Sequence, residues 1–227
     1  QILHDVCIQD LPVVFAIDRA GLVGSDGETH QGIFDLSYLS TIPNMSVLAP
    51  KNKWELSDML KFSVDFGHPI AVRYPRGKAY DGLKEFREEI TYGKSEVIYQ
   101  EQEIVLLAVG SMVETAAQVY GLLKSMGYFC SLVNVRFVKP LDTELLDSLL
   151  EKHDFLVTLE ENAESGGFGE HVVQYFNNKD AEHMPRIQNI ALPDVYVEHG
   201  NVEILKRELG VDAESIVKRI VADYVRR

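Results

Sequence analysis

Four kinds of side chain able to do chemistry sit close together early in the sequence. Directly after the apolar run VVFAID come Arg19, Asp26, Glu28, Thr29 and His30, within the stretch GLVGSDGETHQG whose glycines at 21, 24, 27 and 32 let a chain turn sharply or come close to a ligand. A second apolar run ends in AVRYPRG, which places Arg73 and Arg76 at its carboxyl end. Guanidinium groups match phosphate oxygens bidentately, so arginines on neighbouring loops could clamp a phosphate, and a histidine beside them could move a proton at neutral pH. Each residue also has an ordinary structural reading. Asp26 before Gly27 is common turn chemistry, Arg19 could pair with Asp18, and one of Arg73 and Arg76 should pair with an acidic neighbour, which spacing alone does not identify.

Such a cluster needs a scaffold that brings loops together, and the pattern around it supplies one. The strand-length runs LPVVFAID, NMSVLAP and PIAVRYP are separated by the helical patterns THQGIFDLSYLSTI and NKWELSDMLKFSVDF, the second with Asn52 as N-cap and Glu55 three places on. Continuous apolar runs predict strands buried on both faces of a mostly parallel sheet. Residues 81–91, within the charged stretch GKAYDGLKEFREEITY, break the rhythm and are read as a linker. The alternation then restarts with EIVLLAVG, a helix opened by Ser111 and Glu114 as a capping box and closed near Gly127, then FCSLVNV, DTELLDSLLEKH, FLVTLEE, GEHVVQYF and IQNIALPD, with helices over 201–209 and 213–227. The fold class is α/β, in two three-layer units with mostly parallel sheets, over 1–80 and 92–227. In open α/β sheets the chemistry lies beyond the carboxyl ends of the strands, where both arginine-bearing loops fall.

Bulk properties narrow the partners. The 227 residues are 46% hydrophobic and 25% charged, with a formal charge of −13, which disfavours nucleic acid and anionic membranes and means that an anionic ligand needs a local basic site. Two cysteines, Cys7 and Cys130, without metal-ligand spacing fit a reducing compartment, and the absence of a long apolar run leaves the cytoplasm as the expected location. A second glycine-rich loop, ENAESGGFGEHVV, fails the dinucleotide fingerprint at Val172 and is better read as tight packing at a helix start; Glu160 and Glu161 beside it are candidate acids or capping groups. His4, His68, His153, His171, His183 and His199 show no ligand spacing and stay unassigned, and no metal site is expected in this chain. The sequence opens inside a helical pattern with no N-cap, which reads as the later part of a longer protein.

FAIDRAGLVGSDGETHQGIFDLSYLSTIPNMSVLAP, AVRYPRG, VNVRFVKPLD and EENAESGGFGEHV together resemble the later part of the 1-deoxy-D-xylulose-5-phosphate synthase family, thiamine-diphosphate enzymes of the transketolase superfamily. The resemblance runs over essentially the whole chain. It implies the second half of a pyrimidine-binding domain over 1–80 and a transketolase C-terminal-like domain over 92–227. It implies a transferase that condenses pyruvate with D-glyceraldehyde 3-phosphate, releasing carbon dioxide, in isoprenoid, thiamine and pyridoxal biosynthesis. Arg19 and Arg76 then match positions that hold the aldehyde's phosphate, and Asp26 and His30 match catalytic positions facing the reacting centre. The family binds thiamine diphosphate through Mg2+ and works as a homodimer. The Gly-Asp-Gly motif with its distant Asn, and the stretch bearing the activating glutamate, are not in this sequence and would lie upstream of Gln1, so the isolated chain is expected to be inactive. Two other readings stay open: a related transketolase-like enzyme with other substrates, and a non-catalytic phosphosugar-binding or assembly module.

Overall fold

The computed structural model describes residues 1–24, 27–179 and 184–225. A π-helical turn, Ile2–Cys7, leads into β1 (Val14–Ile17), a 3-10 turn (Glu28–His30), α1 (Asp35–Ser40), β2 (Ser46–Leu48), α2 (Lys53–Asp65) and β3 (Ile70–Arg73). The second half follows with β4 (Glu96–Tyr99), β5 (Glu103–Val109), α3 (Met112–Ser125), β6 (Cys130–Val135), β7 (Phe137–Lys139), α4 (Thr143–Leu149), β8 (His153–Ala163), α5 (Phe168–Asn177), β9 (Arg186–Leu192), α6 (Val202–Glu208) and α7 (Ala213–Tyr224). One sheet has the order β1-β3-β2-β7 and the other β4-β6-β5-β8-β9. All pairings are parallel except β2 with β7 and β4 with β6.

The strand-forming runs behave as their composition dictates. From Ile104 onward the whole of β5, all of β6 and all of β3 are buried, because helices cover both faces of each sheet. In the second unit α3 and α7 pack on one face and α4 and α5 on the other, and α2 covers one face of the first sheet. The edge strand β1 departs from the expectation: Ala16 is exposed and its neighbours only half-buried, since an edge strand with one neighbour lacks the packing that an interior strand receives.

Caps explain most helix starts. Asn52 accepts a hydrogen bond from the Glu55 amide at 3.0 Å, as its position predicts, and Asp142, Asn201 and Asp212 do the same for α4, α6 and α7. The expected Ser111 capping box does not form. Ser111 Oγ donates instead to Glu161 Oε2 at 2.9 Å, because the buried carboxylate offered by the neighbouring strand β8 is a charged acceptor and makes the stronger hydrogen bond.

The two halves are joined through apolar and polar seams. One core cluster merges Leu36, Leu39, Val47 and Ala71 of the first half with Val105, Val133, Leu156 and Phe168 of the second. The end of β8, still paired with β9 at Leu192, also reaches the first unit, where the Ala163 amide donates to Ile33 O at 2.6 Å. Residues between β3 and β4 form no helix or strand, yet Leu83 and Ile90 are buried. Among the described residues no helix is long and apolar enough to cross a membrane.

Candidate functional site

The parallel register of β1 and β3 aligns Ile17 with Arg73, so the loops leaving both strands start side by side. Tyr74 N donates to Ile17 O at 2.9 Å and Ala20 N to Tyr74 O at 3.0 Å, which extends the pairing beyond the strands and sets the Arg19 and Arg76 loops next to each other. Arg19 has φ of +60°, a left-handed conformation that costs a non-glycine residue on the order of 1–3 kcal/mol and concentrates at functional sites. Its guanidinium contacts Asp18 at 2.6 Å and is 39% exposed. The chain then folds back: Gly21 and Gly32 exchange backbone hydrogen bonds at 2.8 and 3.0 Å, returning His30 to the same strand end. His30 is exposed in its 3-10 turn, with Nδ1 2.9 Å from Thr29 Oγ1. Asp26 lies outside the described residues.

The glycines of this loop are needed for close approach to protein, which the sequence alone had assigned to a ligand. A methyl group on Gly21 would sit 2.5 Å from the Glu161 carboxyl carbon, one on Gly24 would sit 2.5 Å from Gly200 O, and one on Gly32 would sit 2.0 Å from Arg19 O. Gly21 and Gly24 also have φ of +75° and +74°. Glu161 is the second unit's main contact here: Leu22 N donates to its Oε1 at 2.7 Å, and Lys206 lies 3.7 Å from its Oε2. Its neighbour Glu160 takes hydrogen bonds from Phe168 N and Gly169 N, both at 2.8 Å, and so caps α5. Burial pushes the Glu160 carboxyl up to about 7 against the pull of those two amides.

The structure separates the two arginines that spacing left equivalent. Arg73 is 3% exposed and bridges the units, donating to Gly32 O at 2.5 Å, Glu161 O at 2.9 Å and Asp35 Oδ2 at 3.3 Å. Arg76 is exposed and lines a cavity of about 310 Å3 between the carboxyl ends of both sheets. Lys78 and Tyr74 flank it on the first unit, and Ser111, Glu114 and Lys206 face it from the second. Burial raises the Glu114 carboxyl above its ordinary value, with Lys206 opposing.

Beneath this cavity lies a buried ion network that sequence reading missed. Lys51 Nζ reaches Glu55 Oε1 at 2.9 Å and Glu96 Oε2 at 2.6 Å, while Arg136 binds the same two carboxylates at 2.8 Å each. Asn134 Nδ2 donates to both. Burial alone would raise Glu96, but Lys51 and Arg136 together hold it below the usual carboxylate range. Two residues come from the first unit and three from the second, spread over 85 positions, so no local motif announces them. Lys51, between Pro50 and Asn52, carries the network to one wall of the cavity.

Of the remaining histidines, His68 pairs with Asp10 at 2.8 Å, buried His153 bonds Ser131 Oγ at 2.8 Å and Leu149 O at 2.9 Å, and His183 lies outside the described residues. Among the described residues no three His, Cys, Asp or Glu side chains group as metal ligands. The backbone places the loops bearing Arg19 and Arg76 side by side at one sheet end, and the described lining of the cavity includes Arg76 but neither Arg19 nor His30.

Residues 93–216 match the transketolase C-terminal domain, and residues 1–81 match the transketolase pyrimidine-binding domain. The chain is 54% identical over 220 residues to the 1-deoxy-D-xylulose-5-phosphate synthase of Lachnoclostridium phytofermentans, covering 97% of this chain and 35% of that protein. It is 45% identical over 220 residues to the synthase of that name from Aquifex aeolicus, again covering 97% and 35%. It thus spans about a third of the length of the curated relatives it matches. Among solved structures it is similar to a split-gene transketolase described as an inactive beta4 tetramer, with a TM-score of 0.88 at 23% identity over 99% of this chain and 71% of that one. It is also similar to the transketolase of Campylobacter jejuni, with a TM-score of 0.71 at 19% identity over 92% and 31%. By sequence and by fold, the chain belongs to the transketolase family, of which it carries the C-terminal domain together with a pyrimidine-binding portion.

Proposed function

We propose that this chain is the C-terminal portion of a 1-deoxy-D-xylulose-5-phosphate synthase, which joins pyruvate to D-glyceraldehyde 3-phosphate with loss of carbon dioxide. The observation that carries the reading is the adjacency of the Arg19 and Arg76 loops at the carboxyl ends of β1 and β3, with His30 folded back beside them. Arg19 and Arg76 hold the aldehyde's phosphate, so that binding energy from a remote group orients the reacting carbonyl. His30, through Nε2, gives a proton to the aldehyde oxygen as the new carbon–carbon bond forms. Asp26, assigned from its place in the motif, works beside His30 on the hydroxyl formed from that aldehyde oxygen.

The pyrimidine-binding portion is assigned to 1–80, the linker to 81–91 and the C-terminal domain to 92–227. The family uses thiamine diphosphate; the Mg2+ and diphosphate anchors belong to the N-terminal region that the relatives carry beyond the matched third. The working enzyme is a cytoplasmic homodimer, and the chain by itself is inactive. In the full-length protein, Arg76→Met should raise KM for the phosphorylated aldehyde far more than KM for pyruvate. Equal effects on both substrates would overturn the phosphate assignment.

A further inference from the structure

We infer that Gln31 is a positioning residue through which the second unit sets the place of His30, an inference that rests on the function proposed above. Gln31 follows His30 directly, is only 6% exposed, and uses its whole side-chain amide. Its Oε1 accepts from Val23 N at 2.6 Å and Gly24 N at 3.4 Å, tying the start of the loop to its end. Its Nε2 donates across the seam to Val197 O and Glu198 O at 3.5 and 3.4 Å. A hydrogen bond from Gly200 N to Gly24 O at 3.1 Å, and the approach of His199 Cβ to within 3.9 Å of a methyl group built on Gly27, continue the seam on the other side of the loop.

The anchors on either side of Gln31 are in the second unit as well. Leu22 and Ile33 belong to the second unit's core cluster, together with Val197 and Leu205. The chain before and after His30 is therefore anchored, at Leu22 and at Ile33, in the apolar core of the second unit, with Gln31 as the polar bond between these anchors. His30 itself is exposed, so the placing of its backbone rests on what the chain on either side of it is fixed to. A buried amide with four backbone partners fixes that backbone, since releasing it would leave buried donors and acceptors unpaired. The C-terminal domain thereby contributes to turnover without supplying a group that touches substrate.

The test uses the full-length enzyme with Gln31→Leu, which removes all four bonds at similar volume, and Gln31→Glu, which keeps the acceptor within the loop and loses the donor across the seam. Both should lower kcat by about ten- to a hundredfold, the cost of displacing a catalytic group by an ångström or so, with KM for both substrates little changed. Because Gln31 acts through His30, Gln31→Leu placed on His30→Ala should cost no more than about twofold further, a non-additivity that general destabilisation would not produce. Wild-type kcat in both Gln31 variants, or losses that multiply fully in the double variant, would overturn the inference while leaving the function intact. Wild-type turnover in His30→Ala would instead overturn the role given to His30. Should neither Gln31 variant fold, hydrogen exchange of the Val23 and Gly24 amides in the unaltered enzyme decides: strong protection supports the latch, and exchange at the rate of an open loop refutes it.

Discussion

Replacing Lys51 with methionine isolates the buried network under the cavity. Lys51, Glu55, Glu96 and Arg136 have side chains no more than 2% exposed and balance two positive against two negative charges. Methionine matches the length of lysine but leaves two carboxylates facing one guanidinium, an uncompensated buried charge. Breaking such a pair costs about 3–5 kcal/mol. At about 2–4 °C per kcal/mol for a chain of this size, the midpoint of thermal unfolding should fall by roughly 6–20 °C. The pH dependence has a definite sign. Glu96 is held below its ordinary value in the folded protein, so its contribution is present above the normal carboxylate range and is lost as pH falls through the lowered value. Without Lys51 the surplus charge is relieved by protonation, so the gap between variant and parent should narrow as pH is lowered toward 4. Calorimetry of the 227-residue chain and its variants reads both effects. The double variant Lys51→Met with Glu96→Gln restores charge balance and should be more stable than Lys51→Met alone. A fall of less than about 2 °C in the single variant, or a double variant below the single, would refute the assignment of this network as a stabilising clamp.

Two further substitutions test the loop and its capping acid. Gly21→Ala carries both the left-handed penalty of about 1–2 kcal/mol and a clash with the Glu161 carboxyl, whereas Gly127→Ala, at φ of +87° with nothing within 4 Å, carries the conformational cost alone. Thermal midpoints should therefore place Gly21→Ala clearly below Gly127→Ala, and equal values would mean that the contact with Glu161 carries no energy. Glu160 is raised to about 7 when folded, so it disfavours the folded state increasingly as pH rises from the ordinary carboxylate range to about 7. Glu160→Gln should gain stability relative to the parent over that interval and level off above it; a difference independent of pH would show that the carboxyl is already ionised throughout.

The apolar runs made the α/β alternation legible, because an interior parallel strand must be apolar on both faces and a run such as EIVLLAV satisfies that by itself. The Arg19 and Arg76 loops were legible as neighbours for a similar reason: each leaves the carboxyl end of a strand, and those strand ends lie side by side. What depended on contacts across the chain was not. Nothing local distinguishes Arg73 from Arg76; the difference is that Arg73 meets Gly32 O and Glu161 O from distant segments. The glycines looked like an opening for a ligand because their neighbours at Glu161 and Gly200 are more than 130 residues away. Ser111 had a local partner in Glu114 and chose a remote one. Gln31, between His30 and Gly32, carried no signal of its own, since an amide announces its role only through the carbonyls it reaches.

The strand β7 gives the order in which this protein can be built. It belongs by sequence to the second half, yet it pairs with β2, and Phe137 fills the first unit's core against Phe62, Tyr92, Leu48 and Ile70. During synthesis the first sheet therefore waits, with the β2 edge unpaired and a vacant place for an aromatic ring, until some sixty residues beyond β3 have emerged. An open edge beside an unfilled core is the kind of surface that recruits other chains. The nascent protein meets its greatest hazard of misassembly in that interval, and a terminator or protease that separates the halves there would leave a fragment unable to close its own sheet.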